Sequence, residues 1–236
     1  MAILLTKIFA GFPKTVGEKD AENPMDREWT SAIFKEPVHG PVWVGESGLS
    51  RDGQADQKNH GGPEKAVFGY SVDNYTDWQN ELGNSGLTSG AMGENFALAN
   101  IAEDQICIGD TYQIGEAMVQ VSQPRQPCWK PARRFKIKNL ALSIQNTGRT
   151  GWYFRVVKEG MVEEGQVFKL LHRPYPQWTI ESCNQIIHAQ APNFAEMKEL
   201  ALCELLAPIL RDKLTVRVEK QEAPNIQKRV FGPNGA

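Results

Sequence analysis

Cys128 is the strongest candidate for a reactive side chain in this 236-residue chain, and it lies in the segment SQPRQPCWK. Pro124 and Pro127 cannot continue a strand ladder or a helix interior, so the cysteine is expected where a strand ends. Arg125 and Lys130 flank it, and positive neighbours favour the thiolate form of a cysteine. A thiolate is a nucleophile and also a soft ligand for a transition metal. A small, buried, inert side chain is the alternative interpretation of Cys128.

Positive charge is concentrated around this cysteine. No acidic residue and six basic residues occur between positions 125 and 138: Arg125, Lys130, Arg133, Arg134, Lys136 and Lys138. Because the whole chain has a formal charge of −2, this local excess predicts a bound polyanion, with arginines making bidentate contacts to phosphate. We expect Lys136 and Lys138 to belong to a solvated helix face. Stacking aromatic residues are sparse in the segment, so nucleic acid is the less favoured ligand.

A second candidate segment lies in residues 50–63, where glycines and polar residues predict an exposed loop. Gly61 and Gly62 would let consecutive backbone amides converge on an anion, and His60 can donate a hydrogen bond to it. A tight turn with a surface histidine is the simpler alternative.

The segment GAMGENF supplies a third candidate group. Glu94 or Asn95 can act there as a general acid or base, or as an orienting amide. Either residue could equally cap a strand, and spacing alone does not separate these roles.

Composition excludes several classes of protein. The chain is 41% hydrophobic, 23% charged and 9% aromatic, which is typical of a globular protein and excludes disordered and low-complexity classes. The near-neutral charge argues against a dedicated nucleic-acid binder. No apolar run approaches the ~20 residues that a membrane-spanning helix needs, and Thr6 and Lys7 interrupt the N-terminal apolar stretch, which indicates a strand and not a signal peptide.

The number and spacing of the cysteines and histidines limit which disulfides and metal sites the chain can form. The cysteines are few and far apart, which predicts a cytoplasmic protein without a disulfide scaffold: Cys107, Cys128, Cys183 and Cys203. The four histidines have no metal-ligand spacing with one another or with the cysteines. We therefore find no zinc, haem, flavin or iron–sulfur signature.

The elements that must position Cys128 are mainly strands. Short apolar stretches and frequent turn residues make the chain before Arg173 strand-rich, and the alternation from Met118 to Ser122 is the pattern of a half-buried strand. The later sequence predicts three helical segments that dock on the barrel or on a partner, at 180–189, 194–206 and 209–219. We predict a mainly β, barrel-like domain with inserted helices, a small C-terminal three-helix domain, and a tail that is frayed or makes a local contact, over residues 1–175, 176–221 and 222–236.

Five segments, in this order, resemble a known family: HGGPEKAVFGY, GAMGENF, the IGD after Cys107, VSQPRQPCWK and NTGRTGWYFRV. They resemble the MOSC family, the domain shared with the C-terminal part of molybdenum cofactor sulfurases, and they are most similar to the stand-alone bacterial YiiM-type proteins. The resemblance runs from about Gly48 to about Val218. It implies a strand-rich barrel, a molybdenum-pterin cofactor, and reduction of N-hydroxylated compounds, including N-hydroxylated purine base analogues, as a detoxification role.

The resemblance also implies roles for individual residues. Cys128 would ligate molybdenum, and Glu94 or Asn95 would supply or orient a proton. The implied cofactor contacts are Arg125, Lys130, Arg134, His60, Gly61, Gly62 and Lys65. The better understood molybdenum reductases have an additional N-terminal domain, so some of their phosphate-binding residues have no counterpart here. Electrons would have to come from a separate donor protein.

Two other functions stay open. In one, Cys128 carries a persulfide and the protein is a sulfur carrier or transferase without a metal. In the other, the protein binds or delivers the cofactor without turning over a substrate. Pyridoxal phosphate is unsupported, because neither Lys65 nor Lys130 stands out as a Schiff-base lysine. The small-molecule substrate, the electron donor and the oligomeric state stay open, a homodimer being one option.

Overall fold

A computed structural model describes residues 1–234 of the chain, and the elements below lie in that range. The strands are β1 (Ile3–Ala10), β2 (Lys14–Val16), β3 (Trp29–Ser31), β4 (Glu36–Pro37), β5 (Val42–Gly45), β6 (Gly48–Leu49), β7 (Val67–Ser71), β8 (Phe96–Ala99), β9 (Thr111–Ile114), β10 (Ala117–Pro124), β11 (Trp152–Lys158), β12 (Gly160–Val162) and β13 (Val167–His172). The helices are α1 (Gln57–His60), α2 (Asp73–Leu82), α3 (Lys130–Phe135), α4 (Leu140–Thr147), α5 (Ile180–His188), α6 (Phe194–Ala201) and α7 (Pro208–Lys220). Short helical turns follow at Gln227–Phe231 and Gly232–Asn234.

Seven strands close into a mixed barrel. The hydrogen-bonded order runs β1, β8, β7, β11, β10, β9 and β13, and β13 pairs again with β1. Neighbours are antiparallel except β7 and β8, which are parallel because α2 lies between them as a crossover. The prediction of a mainly β barrel with inserted helices is confirmed.

Aromatic rings fill the inside of the barrel. Phe168 lies 5.8 Å from Phe96 and 6.0 Å from Phe154, measured between ring centroids. Gly69 on β7 faces these rings, and a Cβ atom there would come within 2.8 Å of Phe154. Glycine is therefore required at this strand position, because the neighbouring aromatic side chains occupy the space that a larger residue needs.

The three C-terminal helices pack on one end of the barrel. Their apolar faces belong to the same buried cluster as the barrel strands. Two backbone hydrogen bonds join the start of α5 and the residues just before it to the loop after β8, from Ile108 N to Trp178 O at 2.8 Å and from Ile180 N to Ile106 O at 2.9 Å. The second helix ends at Ala201, earlier than position 206, because turns precede Pro208, which begins α7. The domain boundary at residue 175 stays a prediction.

The tail packs against the barrel domain over its described part. Val230 is buried and Asn234 is 6% exposed, so residues 222–234 make a local contact, which is one of the two predicted alternatives. Positions 235 and 236 of the predicted tail lie outside the described residues. No helix within residues 1–234 is long and apolar enough to cross a membrane.

Asp110 anchors the segment between the barrel and α5. Its buried carboxylate accepts hydrogen bonds from Cys107 N at 3.0 Å and Tyr112 Oη at 3.1 Å, and it pairs with Arg173 at 2.6 Å. We expect Asp110→Ala to lower the free energy of unfolding by roughly 3 kcal/mol, because it leaves a partly buried guanidinium unpaired. Urea denaturation checks this, with the exposed Asp104→Ala as the matched control. Equal midpoints for both variants would contradict the anchoring role.

Candidate active site

Cys128 lies between the end of a barrel strand and the start of a helix. β10 ends at Pro124, the backbone N–H of Arg125 donates to Gly151 O at 3.0 Å, and α3 begins at Lys130. The two prolines prevent the chain from continuing along the barrel wall. Cys128 is only 8% exposed, so its side chain is held inside the structure at the position that the sequence predicted, a strand end.

The surroundings of Cys128 favour the thiolate. Burial raises the pKa of the thiol, but the imidazole of His60, which donates toward the sulfur, and the guanidinium of Arg125 outweigh burial and lower the pKa to about 6 from the ordinary value of 9.0. Burial raises the pKa of the other three cysteines. Cys128 is therefore the one cysteine of the chain that is mostly ionised at neutral pH.

Cys128 opens onto a cleft with a water-accessible volume of about 80 Å³. Predicted site residues in its wall are His60, Lys65, Asn95, Arg125 and Lys130. Aromatic and apolar residues without a predicted role also line it: Ile33, Phe68, Met92 and Tyr153. The cleft combines aromatic and apolar side chains with a cluster of cations.

Arg125 is a buried charge without a carboxylate partner among residues 1–234. It is 5% exposed, forms none of the ion pairs within that range, and lies over the Phe68 ring at 5.5 Å. Lys65 and Lys130 in the same wall form no ion pair in that range either. The Cys128 thiolate can balance at most one of these three positive charges. Because burying uncompensated charge is costly, the arrangement favours a further anion next to Cys128.

The cleft wall also contains a buried ion pair that the sequence does not predict. Lys35 and Asp52 pair there with side chains that are 6% and 2% exposed. Asn95 donates to Asp52 Oδ2 at 2.9 Å, while its own Oδ1 accepts from Phe68 N at 3.0 Å. The Asn95 side chain therefore positions the Asp52 carboxylate. Burial lowers the pKa of the Lys35 ammonium, and Asp52 opposes that shift.

Glu94 and Arg134 were expected in the site, but the structure places both outside the cleft. Glu94 is fully buried and accepts from Tyr75 Oη and Gly90 N, each at 2.6 Å; burial raises the pKa of its carboxyl. Arg134 donates from Nη1 to three carbonyl oxygens, those of Ile33 at 2.7 Å and of Gly90 and Ala91 at 3.0 Å. Both side chains are used to hold the loop at residues 90–94.

The two glycines after His60 also lie outside the cleft lining. The backbone N–H of Gly61 donates to Gln57 O at 3.2 Å, which ends α1. Gly62 has a φ of 95°, which turns the chain into the following helical turn. Because the Gly61 amide already has a partner, the pair does not form the predicted anion cradle, and His60 is the group of this loop that reaches Cys128.

The tail holds the Cys128 loop from the other side. The guanidinium of Arg229 donates to Pro127 O and to Gln145 Oε1, and its carbonyl accepts from Trp129 N at 2.9 Å. Asn234 donates to Trp129 O at 3.0 Å. Residues about 100 positions away in the chain thus fix the backbone on both sides of Cys128.

The fold and the site together define a class of protein: a mixed β-barrel with a cysteine-centred, cation-lined cleft. The chain belongs to the MOSC domain family, whose model matches residues 56–169. MOSC domains are associated with molybdenum cofactor binding in general.

Individual relatives agree with this family. The uncharacterized protein YflK of Bacillus subtilis is 41% identical over 170 residues, which cover 72% of this chain and 76% of YflK. A protein named "Reductase" from Gibberella moniliformis is 37% identical over 193 residues, 79% of this chain but 34% of that protein. The crystal structure of YiiM from Geobacillus stearothermophilus has a TM-score of 0.76 and 35% identity, covering 92% of this chain and 99% of that one.

The low pKa of Cys128 can be tested by its reactivity. We expect its alkylation by iodoacetamide to rise with pH through a midpoint near the pKa of about 6, because only the thiolate reacts. His60→Gln should move the midpoint up by roughly 1 unit or more, since a close positive or donating group shifts a pKa by about 1–3 units. Peptide mapping by mass spectrometry gives the rate at each cysteine.

His39→Gln is the matched control, because His39 is exposed and does not line the cleft. Its midpoint should equal that of the parent chain. A parent midpoint near the ordinary thiol value of 9.0 would show that the pKa of Cys128 is not lowered.

Proposed function

We propose that this protein is a molybdenum-cofactor-dependent reductase of N-hydroxylated compounds. N-hydroxylated purine base analogues are the candidate substrates, and detoxification is the candidate role. The observation that carries the proposal is the Cys128 thiolate beside the buried Arg125 guanidinium, which has no carboxylate partner within residues 1–234, in a MOSC-family barrel. The relative named "Reductase" supports a reductive reaction, although the match spans only 34% of that protein.

The side chains of the cleft have the chemical character that such a cofactor requires. A thiolate is a soft ligand that suits molybdenum, and the nearby cations suit the phosphate of a pterin cofactor. No group of three or more His, Cys, Asp or Glu side chains within residues 1–234 is arranged to hold a metal ion. A metal at Cys128 therefore needs further ligands from a cofactor. When bound, the cofactor supplies the two-electron redox chemistry.

The chain itself would bind the reactants and hold a proton. Phe68, Met92 and Tyr153 offer aromatic and apolar contacts to a purine ring. Lys35 Nζ holds a proton at the cleft wall, and the Asp52 carboxylate keeps that ammonium in place. Reduction of an N-hydroxyl group consumes two electrons and two protons and releases an amine and water. The electrons come from a separate donor protein.

A sulfur carrier is the second candidate function, and the same pKa of about 6 favours it. A thiolate attacks sulfur donors readily and can hold a persulfide. In that case Cys128 carries sulfane sulfur and the protein contains no pterin. A module that only delivers the cofactor is the third candidate, because the cations of the cleft serve binding equally well.

Metal and pterin content separates these functions. Protein purified anaerobically from a host that makes the cofactor should contain near-stoichiometric molybdenum and pterin, and Cys128→Ala should lose both. Cys203→Ala is the matched control, because Cys203 is buried outside the cleft and should keep them. Sulfane sulfur on Cys128 without pterin would overturn the reductase proposal, as would a loaded protein that does not reduce an N-hydroxylated purine with a reduced dye as electron source.

Lys35 is predicted to supply a proton during turnover. Lys35→Met should lower kcat by about 10²–10⁴, the usual contribution of a general acid or base, and Lys35→Arg should restore part of it. The exposed Lys198→Met on α6 is the control. Steady-state kinetics with an N-hydroxylated purine checks this, and an unchanged kcat in Lys35→Met would remove Lys35 from the reaction.

A further inference from the structure

The segment that carries His60 has no hydrophobic anchor of its own. Residues 57–65, which we call the His60 segment, comprise α1 and the helical turn Pro63–Lys65, and neither contains a buried residue. Gly61 and Gly62 lie between them, and glycine places few conformational limits on a backbone. Because burial of apolar side chains is the usual way to fix a segment on a fold, polar contacts must hold this one in place.

Arg155 on β11 is the polar anchor of the His60 segment. Its Nε and Nη2 atoms donate to Glu64 Oε2 at 2.9 and 2.5 Å, and its Nη1 donates to Gln120 Oε1 on β10 at 2.7 Å. The side chains of Arg155 and Glu64 are 18% and 27% exposed, so water screens this ion pair only in part. Since charge-assisted hydrogen bonds are strong, the pair fixes the chain a few residues after His60.

The same guanidinium reaches the C-terminal helices. Arg155 Nη2 also donates to Leu205 O at 2.8 Å, in the turn between α6 and α7. Ser122 on β10 makes a second, parallel connection, because its carbonyl oxygen accepts from Ala207 N at 2.9 Å and its hydroxyl oxygen lies 2.5 Å from Glu64 O. Two sets of contacts therefore join Glu64, across the barrel wall, to the turn before α7.

The other polar contacts of the His60 segment are local. Lys65 Nζ donates to Asn59 O at 2.8 Å, and the Asp56 carboxylate caps α1 by accepting from Asn59 N at 3.0 Å. Such contacts hold the shape of the segment but not its position on the barrel. Within residues 1–234, the side-chain hydrogen bonds that join it to the barrel strands come from Arg155 and Ser122.

We propose that Arg155 is a positioning residue, which together with the turn before α7 holds the His60 imidazole against Cys128. Leu205 O orients the Arg155 guanidinium, Arg155 holds Glu64, and Glu64 holds the segment that carries His60. The C-terminal helices thereby influence the site at a distance. This anchor requires neither a cofactor nor a substrate, so it is independent of the proposed reductase activity.

Histidine NMR tests the position of His60 directly. The full chain is labelled with ¹⁵N-histidine, and the His60 signals are assigned by their loss in His60→Gln. Arg155→Met should move the His60 imidazole signals toward those of the exposed His39, because the ring loses its contact with the Cys128 sulfur. Arg155→Lys keeps the positive charge and should restore the signals in part.

Hydrogen exchange measures how firmly the His60 segment is held. The backbone amides of His60, Gly61 and Lys65 donate to carbonyl oxygens of residues 56–62. They should exchange at least about tenfold faster in Arg155→Met and in Glu64→Gln, the fold-change expected for loss of a charged hydrogen bond. The double variant should exchange no faster than Arg155→Met, because the two side chains form one interaction.

The C-terminal half of the anchor has its own exchange signal. The Ala207 amide, which donates to Ser122 O, should exchange faster in Arg155→Met. It should stay unchanged in Glu64→Gln, because Arg155 can still donate to Leu205 O there. An Ala207 amide that does not respond to Arg155→Met would remove the C-terminal helices from the anchor.

Arg149→Met is the matched control, because Arg149 is a similarly buried arginine, 16% exposed, that pairs with Asp77 and Glu81 on α2. It should leave the His60 signals and the exchange of the His60 segment unchanged. Unchanged His60 signals in Arg155→Met would overturn the positioning role, as would equal exchange in the Arg155 and Arg149 variants. If Arg155→Met does not fold, Glu64→Gln carries the same test. The metal and pterin content of the Cys128 variants tests the proposed function separately.

Discussion

The interaction on which the site depends is the balance of charge at Cys128. Burial alone would keep this thiol protonated, as it does for the other three cysteines. His60 and Arg125 reverse that preference and bring the pKa to about 6. Each comes from a different segment, the loop before β7 and the end of β10. The lowered pKa of Cys128 therefore depends on the barrel holding these segments together, which links the stability of the fold to the chemistry of the site.

Several other parts of the structure hold the backbone around Cys128 in place. Strand β10 of the barrel ends at Pro124, shortly before Cys128. Hydrogen bonds of Glu94 and Arg134 fix the loop at residues 90–94. The tail then holds the backbone around Trp129 through Arg229 and Asn234. Cations without a carboxylate partner within residues 1–234 are left beside the cysteine. A protein that only needed to fold would gain little from burying Arg125 without a carboxylate partner, so these charges favour a bound anion.

Much of this arrangement could be predicted from the sequence, for physical reasons that act locally. Prolines and alternating residues indicated a strand that ends near Cys128, and helix signals placed the three C-terminal helices to within a few residues at most ends. The five ordered segments indicated the MOSC family, and both the family and the barrel are confirmed. The roles of individual site residues stay predictions.

Other parts could not be predicted because they depend on contacts between distant residues. Lys35 has no spacing signal, and its pairing with Asp52 arises only when the chain folds. The basic segment predicted cations near the cysteine, but sequence cannot show that Arg134 bonds to carbonyl oxygens.

The most direct test of metal ligation by Cys128 is molybdenum K-edge X-ray absorption on the loaded protein with selenium in place of the Cys128 sulfur. Selenium scatters more strongly than sulfur and marks this one position. We predict a molybdenum–selenium shell that is absent from the unsubstituted protein. Bound molybdenum without a selenium neighbour would contradict ligation by Cys128 and leave the cysteine with another role.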